Sequence, residues 1–152
     1  MISPRLQRCL EPGLSILVGV ADAHSMPTCC RGYALRSTDE LETVTVYLPV
    51  ATSHETIQAL AMTGRLAIAA THPADHSATQ LKGVAMDTRL SREDEAAFVR
   101  ERIRAYADVL DAFGVPKRLS GSIVYLPAFA VTMRVEEIYE QTPGPKAGSR
   151  LR

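Results

Sequence analysis

Two polar side chains spaced two residues apart, Gln80 and Lys82, are the residues of this chain best suited to ligand chemistry. They belong to the stretch Thr71-His72-Pro73-Ala74-Asp75-His76-Ser77-Ala78-Thr79-Gln80-Leu81-Lys82-Gly83, a polar loop that follows one apolar run and opens directly into another. In an extended segment, successive side chains take opposite faces. Gln80 and Lys82 therefore project side by side with Val84, while Thr79, Leu81, Gly83 and Ala85 take the other face. A carboxamide beside an ammonium offers several hydrogen-bond donors, which suits a phosphate, a carboxylate or an electron-rich heteroaromatic edge. A solvated strand face is the plain alternative, because exposed Lys and Gln need no function. His72-x-x-x-His76, with Asp75 between, has the residue types of a metal or haem-iron ligand pair. A surface loop carrying two histidines is the commoner outcome, and no metal site is expected.

The elements that must position these groups follow from pattern. Leu66 to Ala70 is a short apolar run with a β-branched centre, stopped near Thr71 because Pro73 cannot donate to a ladder. Ser15 to Ala21 reads as a strand buried on both faces, and Asp22 to Pro27 is turn chemistry leading into a second strand, Thr28 to Arg36. On that strand Arg31 shares a face with Tyr33 and Leu35. An Arg among apolar neighbours is costly to bury alone, so it either reaches solvent or meets an anion. After a turn at Ser37-Thr38-Asp39-Glu40, Thr43 to Pro49 forms a third strand rich in β-branched residues. A helix then starts at Thr52 or Ser53, either of which can cap it, and stops at Gly64. The fifth strand runs from about Ala78 to Thr88. Ser91-Arg92-Glu93-Asp94 opens the longest helix, which continues to about Phe113 with Phe98, Ile103, Tyr106, Val109, Leu110 and Phe113 along one stripe. The last strand is expected over Ser122 to Val135, interrupted at Pro127. A short helix is expected from Pro4 to Leu10, stopped by Pro12-Gly13. Residues 1–140 read as one domain, and 141–152 as a flexible Pro/Gly-rich tail.

Composition narrows the function classes. Apolar residues make up 46% and charged residues 22% of the 152, which is enough for a globular core. Lys plus Arg equals Asp plus Glu at 17 each, so nothing favours nucleic acid as a partner. No run approaches the ~20 apolar residues of a membrane span. Arg5 and Arg8 ahead of Leu14 to Ala21 faintly resemble a secretion signal, but Pro12-Gly13 interrupts it. Three cysteines, Cys9, Cys29 and Cys30, with no repeating spacing fit a reducing compartment, and a cytoplasmic location is expected. Cys29 and Cys30, as strand neighbours, should face opposite ways.

The segment Thr79-Gln80-Leu81-Lys82-Gly83, placed after a strand and a His-Pro turn, resembles the T/R-x-Q-x-K-G region of the pyridoxamine 5'-phosphate oxidase-like, FMN-binding split-barrel proteins. The Pro143-Gly144-Pro145-Lys146-Ala147-Gly148 tail resembles that of some members, and the order of elements over about residues 13 to 148 is similar to theirs. The resemblance implies a mainly β fold: a six-stranded antiparallel split barrel with flanking helices and one long helix between the fifth and sixth strands. It implies a homodimer with FMN in the groove between chains. Carried over position by position, Arg31, Thr52, Ser53, Thr79, Gln80 and Lys82 would line that groove. A helix N-terminus beside hydroxyls suits a phosphate on physical grounds as well. The chain departs from the pattern just after Ser53, where many relatives carry Lys or Arg and this one has His54 and Glu55. The implied function is a flavin-dependent oxidoreductase acting on a small molecule; the alternative is flavin or haem binding for storage or sensing without turnover.

Overall fold

The computed structural model describes residues 7–37 and 41–152. Seven strands form one antiparallel sheet: β1 (Ser15–Ala21), β2 (Pro27–Gly32), β3 (Ala34–Ser37), β4 (Thr43–Pro49), β5 (Arg65–Thr71), β6 (Ala78–Leu90) and β7 (Ala128–Glu140). Their order across the sheet is β2-β1-β5-β6-β7-β4-β3. β2 and β3 are separated by Tyr33 alone, yet one pairs with β1 and the other with β4. The two ends of the sheet are thus halves of a single bent strand, and the sheet curls into a barrel.

That bend corrects the expected count of six strands: the second strand, read as continuous from Thr28 to Arg36, is broken at Tyr33. Gly32 permits the bend, because a Cβ there would lie 2.9 Å from Ile16 Cγ2 and 3.0 Å from Val46 Cγ2 inside the barrel. Alternation fills the interior with Ile16, Val18 and Val20, Val44, Val46 and Leu48, Leu66, Ile68 and Ala70, and Leu81, Met133 and Ile138. β1 is not buried on both faces as expected: Leu17 faces outward and is 46% exposed.

Helix α1 (His54–Thr63) packs Ala59 and Leu60 into this core and ends at Gly64. Ser53 stands at its N-cap without capping it. Helix α2 (Glu93–Ala112) lies between β6 and β7 in sequence and covers the outside of β3, β4 and β7. It forms a second core of Val99 and Ile103 with Ala34, Tyr47, Ala128 and Ala130. The expected stripe is therefore rotated: Glu95, Val99, Ile103 and Ala107 are buried, whereas Phe113 is exposed. Its start is held by the Glu95 carboxylate, which accepts from the Arg92 N–H at 2.7 Å. A single turn, α3 (Lys117–Ser120), follows.

β7 begins only after Pro127 and runs to Glu140, later at both ends than the pattern indicates. β4 pairs with β7 only as far as Arg134. The edge freed beyond it is taken by the C-terminal tail: Leu151 N–H donates to Ile138 O at 2.7 Å, Glu140 N–H to Ser149 O at 2.9 Å and Gly148 N–H to Glu140 O at 2.7 Å. The tail is therefore docked where a flexible end was expected. The Pro4 to Leu10 helix is represented by the 3-10 turn Arg8–Leu10, and its start lies outside the described residues, as does most of the turn at Ser37-Thr38-Asp39-Glu40.

Candidate functional site

The register of β2, β1, β5 and β6 assembles two cross-strand rows on the outside of the barrel. One row runs Arg31, Leu17, Ala69, Gln80; the next runs Cys29, Gly19, Ala67, Lys82. Three strand spacings of about 4.8 Å put Arg31 and Gln80 about 14 Å apart along the sheet. Between them lies a floor of Leu17, Gly19, Ala67 and Ala69. Gly19 has no atom within 4 Å of where a Cβ would sit, so the floor is open above it. A recess of about 570 Å3 occupies one end of this face, bordered by Ala21, Pro27, Thr28, Cys29, Arg65 and Lys82. That volume falls within the range of about 300–1,000 Å3 found for small-molecule sites.

The rim is cationic, and its cations differ in state. Arg31 donates through Nη1 to Tyr106 Oη at 3.2 Å and Ser15 Oγ at 3.3 Å. The Lys82 ammonium lies 4.7 Å from the centre of the Tyr139 ring. The Gln80 amide oxygen accepts from Gln141 Nε2 at 3.4 Å. Arg65, in contrast, is spent on Glu136 at 2.9 Å. On β7 the Tyr139 hydroxyl donates to Glu137, and that hydrogen bond holds the Glu137 carboxyl below its ordinary pKa.

The structure thus gathers Arg31, Gln80 and Lys82 on one face and places the other three candidates elsewhere. Thr79 points inward, is buried, and borders a smaller recess. Thr52 is exposed in the 3-10 turn Val50–Thr52 at the end of β4. Ser53 is 0% exposed, and its hydroxyl donates to Pro49 O at 2.6 Å. Gly83 in the Q-x-K-G segment has a steric reason. β7 bulges at Glu136 opposite Lys82 and Gly83, and a Cβ at Gly83 would lie 1.9 Å from Arg134 O. Sequence reading missed Arg65, Tyr139, Tyr106 and Cys29. Cys29 could have been placed by parity with Arg31, whereas the others depend on register and helix docking.

The smaller recess, about 260 Å3, is lined by Arg8, His72, Asp75, Ser77, Thr79 and Glu140, among others. Most of its polar groups have partners, although His72 Nδ1 is buried without one. Arg8 bonds Asp75 at 2.6 Å, His72 Nε2 lies 3.2 Å from Glu11, and Glu140 accepts from the Thr142 N–H at 2.9 Å. His76 is exposed, in a turn with φ 58°. Among the described residues, no group of three His, Cys, Asp or Glu side chains could hold a metal ion. Cys30 faces the core and Cys29 faces out, as alternation requires, and none of the three cysteines is in a disulfide among the described residues. Burial pushes the Cys9 thiol up to about 12, which removes it as a nucleophile.

Comparison with solved structures bears on the same architecture. HupZ of Group A Streptococcus superposes with a TM-score of 0.59 at 18% identity, covering 97% of this chain and 100% of that one. This chain has the split-barrel fold of the pyridoxamine 5'-phosphate oxidase-like proteins. An FMN-binding protein from Syntrophomonas wolfei shares the split barrel at a TM-score of 0.53 and 10% identity, covering 87% and 85% of the two chains. HutZ, the haem storage protein from Vibrio cholerae, does so at 0.51 and 11%, covering 91% and 94%. No protein-family model matches the chain, and no curated protein matches it either. None of the helices among the described residues is long and apolar enough to cross a membrane.

Proposed function

We propose that this protein binds FMN on the β2-β1-β5-β6 face and acts as a flavin-dependent oxidoreductase on a small molecule. The observation that carries the reading is the pair of rows placing Arg31 at one side of a small-residue floor and Gln80 with Lys82 at the other. A phosphorylated planar heteroaromatic needs three things: a cation for its phosphate, a flat apolar surface for its rings, and donors for its polar edge. The face supplies all three, which is the sense in which its residues fit FMN. In this arrangement Arg31 takes the phosphate. Gln80 and Lys82 orient the polar edge, and Leu17, Ala67 and Ala69 exclude water from one side.

Bound flavin would supply the hydride chemistry, and the chain would contribute position and electrostatics. The described residues that line the recess include no histidine and no carboxylate, so a proton required there comes from solvent, from the Lys82 ammonium or from the Cys29 thiol. A second copy of the chain completes the groove in this reading, because Leu17, Gly19, Ala21, Ala67 and Ala69 leave an apolar outer face uncovered. Three cysteines without a disulfide among the described residues are in keeping with a cytoplasmic site of action.

Quenching of FMN fluorescence on titration with protein tests the assignment. Lys82→Ala and Arg31→Ala are each expected to weaken FMN binding by about tenfold or more, the loss of one charge-assisted contact. Unchanged affinity in both variants counts against the face. Flavin that binds but is never reduced by a nicotinamide donor moves the protein to the second reading, storage or sensing without turnover.

A further inference from the structure

We propose that Tyr106 on α2 is a positioning residue that fixes Arg31 for the phosphate of the ligand on the outer face; this rests on the flavin reading given above. Tyr106 lies far from the strands in sequence, and α2 brings its hydroxyl to 3.2 Å from Arg31 Nη1, with the guanidinium carbon 6.0 Å from the ring centre. Ser15 Oγ accepts from the same nitrogen at 3.3 Å. Both acceptors are neutral. They restrict the side chain, which otherwise loses much rotamer freedom on binding, yet leave its charge intact. Arg65 on the same face is held by the Glu136 carboxylate, and Arg89 by Glu95, so those charges are already compensated. Arg31 makes no such pair among the described residues. Oriented by neutral acceptors, Arg31 keeps its remaining donors and its full charge available to an anion on this face. Holding it in place before the ligand arrives lowers the ordering cost of binding.

The test compares FMN with riboflavin, which lacks the phosphate, on wild type, Tyr106→Phe, Tyr106→Ala, Arg31→Ala and the Arg31→Ala/Tyr106→Phe double variant. Tyr106→Phe keeps the ring and loses the acceptor. It is expected to weaken FMN about fivefold while leaving riboflavin affinity and the melting temperature unchanged. Tyr106→Ala should weaken FMN further. Combined with Arg31→Ala, Tyr106→Phe should add nothing, because its effect passes through Arg31. Equal losses for FMN and riboflavin, or additive losses in the double variant, overturn the positioning role and leave flavin binding standing. Wild type that binds neither flavin overturns the flavin reading itself, and this role with it.

Discussion

Glu95 is 2% exposed and fully engaged. It accepts from Arg89 at 2.7 and 2.8 Å, from the Tyr47 hydroxyl at 2.9 Å and from the Arg92 N–H at 2.7 Å. The Arg89 hydrogen bonds, above all, hold its carboxyl down from the ordinary 4.5 to about 2. Burial pushes the Tyr47 phenol up to about 12, so it stays a donor throughout the working range. Glu95→Gln should cost about 2–3 kcal/mol in urea unfolding at neutral pH. Because the folded pKa lies below the unfolded one, the contribution is complete above about 4.5 and is lost as pH falls towards 2. The gap between wild type and variant should therefore narrow over that window; a gap that is constant with pH contradicts the assignment. Arg102 presents the opposite case. Its Nε and Nη1 are buried without partners, although its guanidinium stacks 4.8 Å from the Phe98 ring centre. Arg102→Met should leave thermal stability unchanged or raise it by up to about 1 kcal/mol, since removing unmet donors offsets the lost stacking. Gly83→Ala, in contrast, must displace the Arg134 carbonyl and should cost more than about 2 kcal/mol.

At the scale of elements, alternation and punctuation made the strands legible. Val and Ile at every second position mark β1 and β4, Pro73 closes β5, and Gly64 ends α1. What stayed hidden depends on partners distant in sequence. Thr28 to Arg36 looks like one strand because no Pro or turn signal interrupts it, and only the pairing of its halves with β1 and β4 shows the break, at which the inward parity inverts from Cys30 to Leu35. The tail looks flexible because its Pro and Gly carry no periodicity, yet β4 stops at Arg134 and leaves backbone groups of β7 to be satisfied. Of the site, the Gln80 and Lys82 pair was readable from spacing alone, whereas the face that Arg31 was expected to share with Tyr33 and Leu35 does not exist, because the break at Tyr33 turns Leu35 into the barrel core while Arg31 stays outside. The engagement of Ser53 with Pro49 and the docking of Tyr106 on Arg31 were not. Deleting residues 142–152 should speed amide exchange at Ile138 and Glu140 by about tenfold, for loss of bonds worth roughly 1 kcal/mol each. Unchanged protection there means that the docked tail does not persist in solution.

For the whole molecule, the barrel turns a set of unremarkable strands into a surface. Its interior takes up the large apolar side chains, and the same alternation leaves Gly19, Ala67 and Ala69 facing out, between Arg31 and the Gln80–Lys82 pair. α2 covers one side of the barrel and leaves this side open. The openness of the face, together with its cationic rim, is what supports the proposed flavin site. The most direct test is the absorption spectrum of the purified protein after incubation with FMN and gel filtration. The expected result is a flavin band near ~450 nm co-eluting with protein at roughly one flavin per chain and lost in Arg31→Ala/Lys82→Ala. Protein that elutes colourless from the same column contradicts the flavin reading, and a sharp band near ~400 nm retained from expression replaces it with haem.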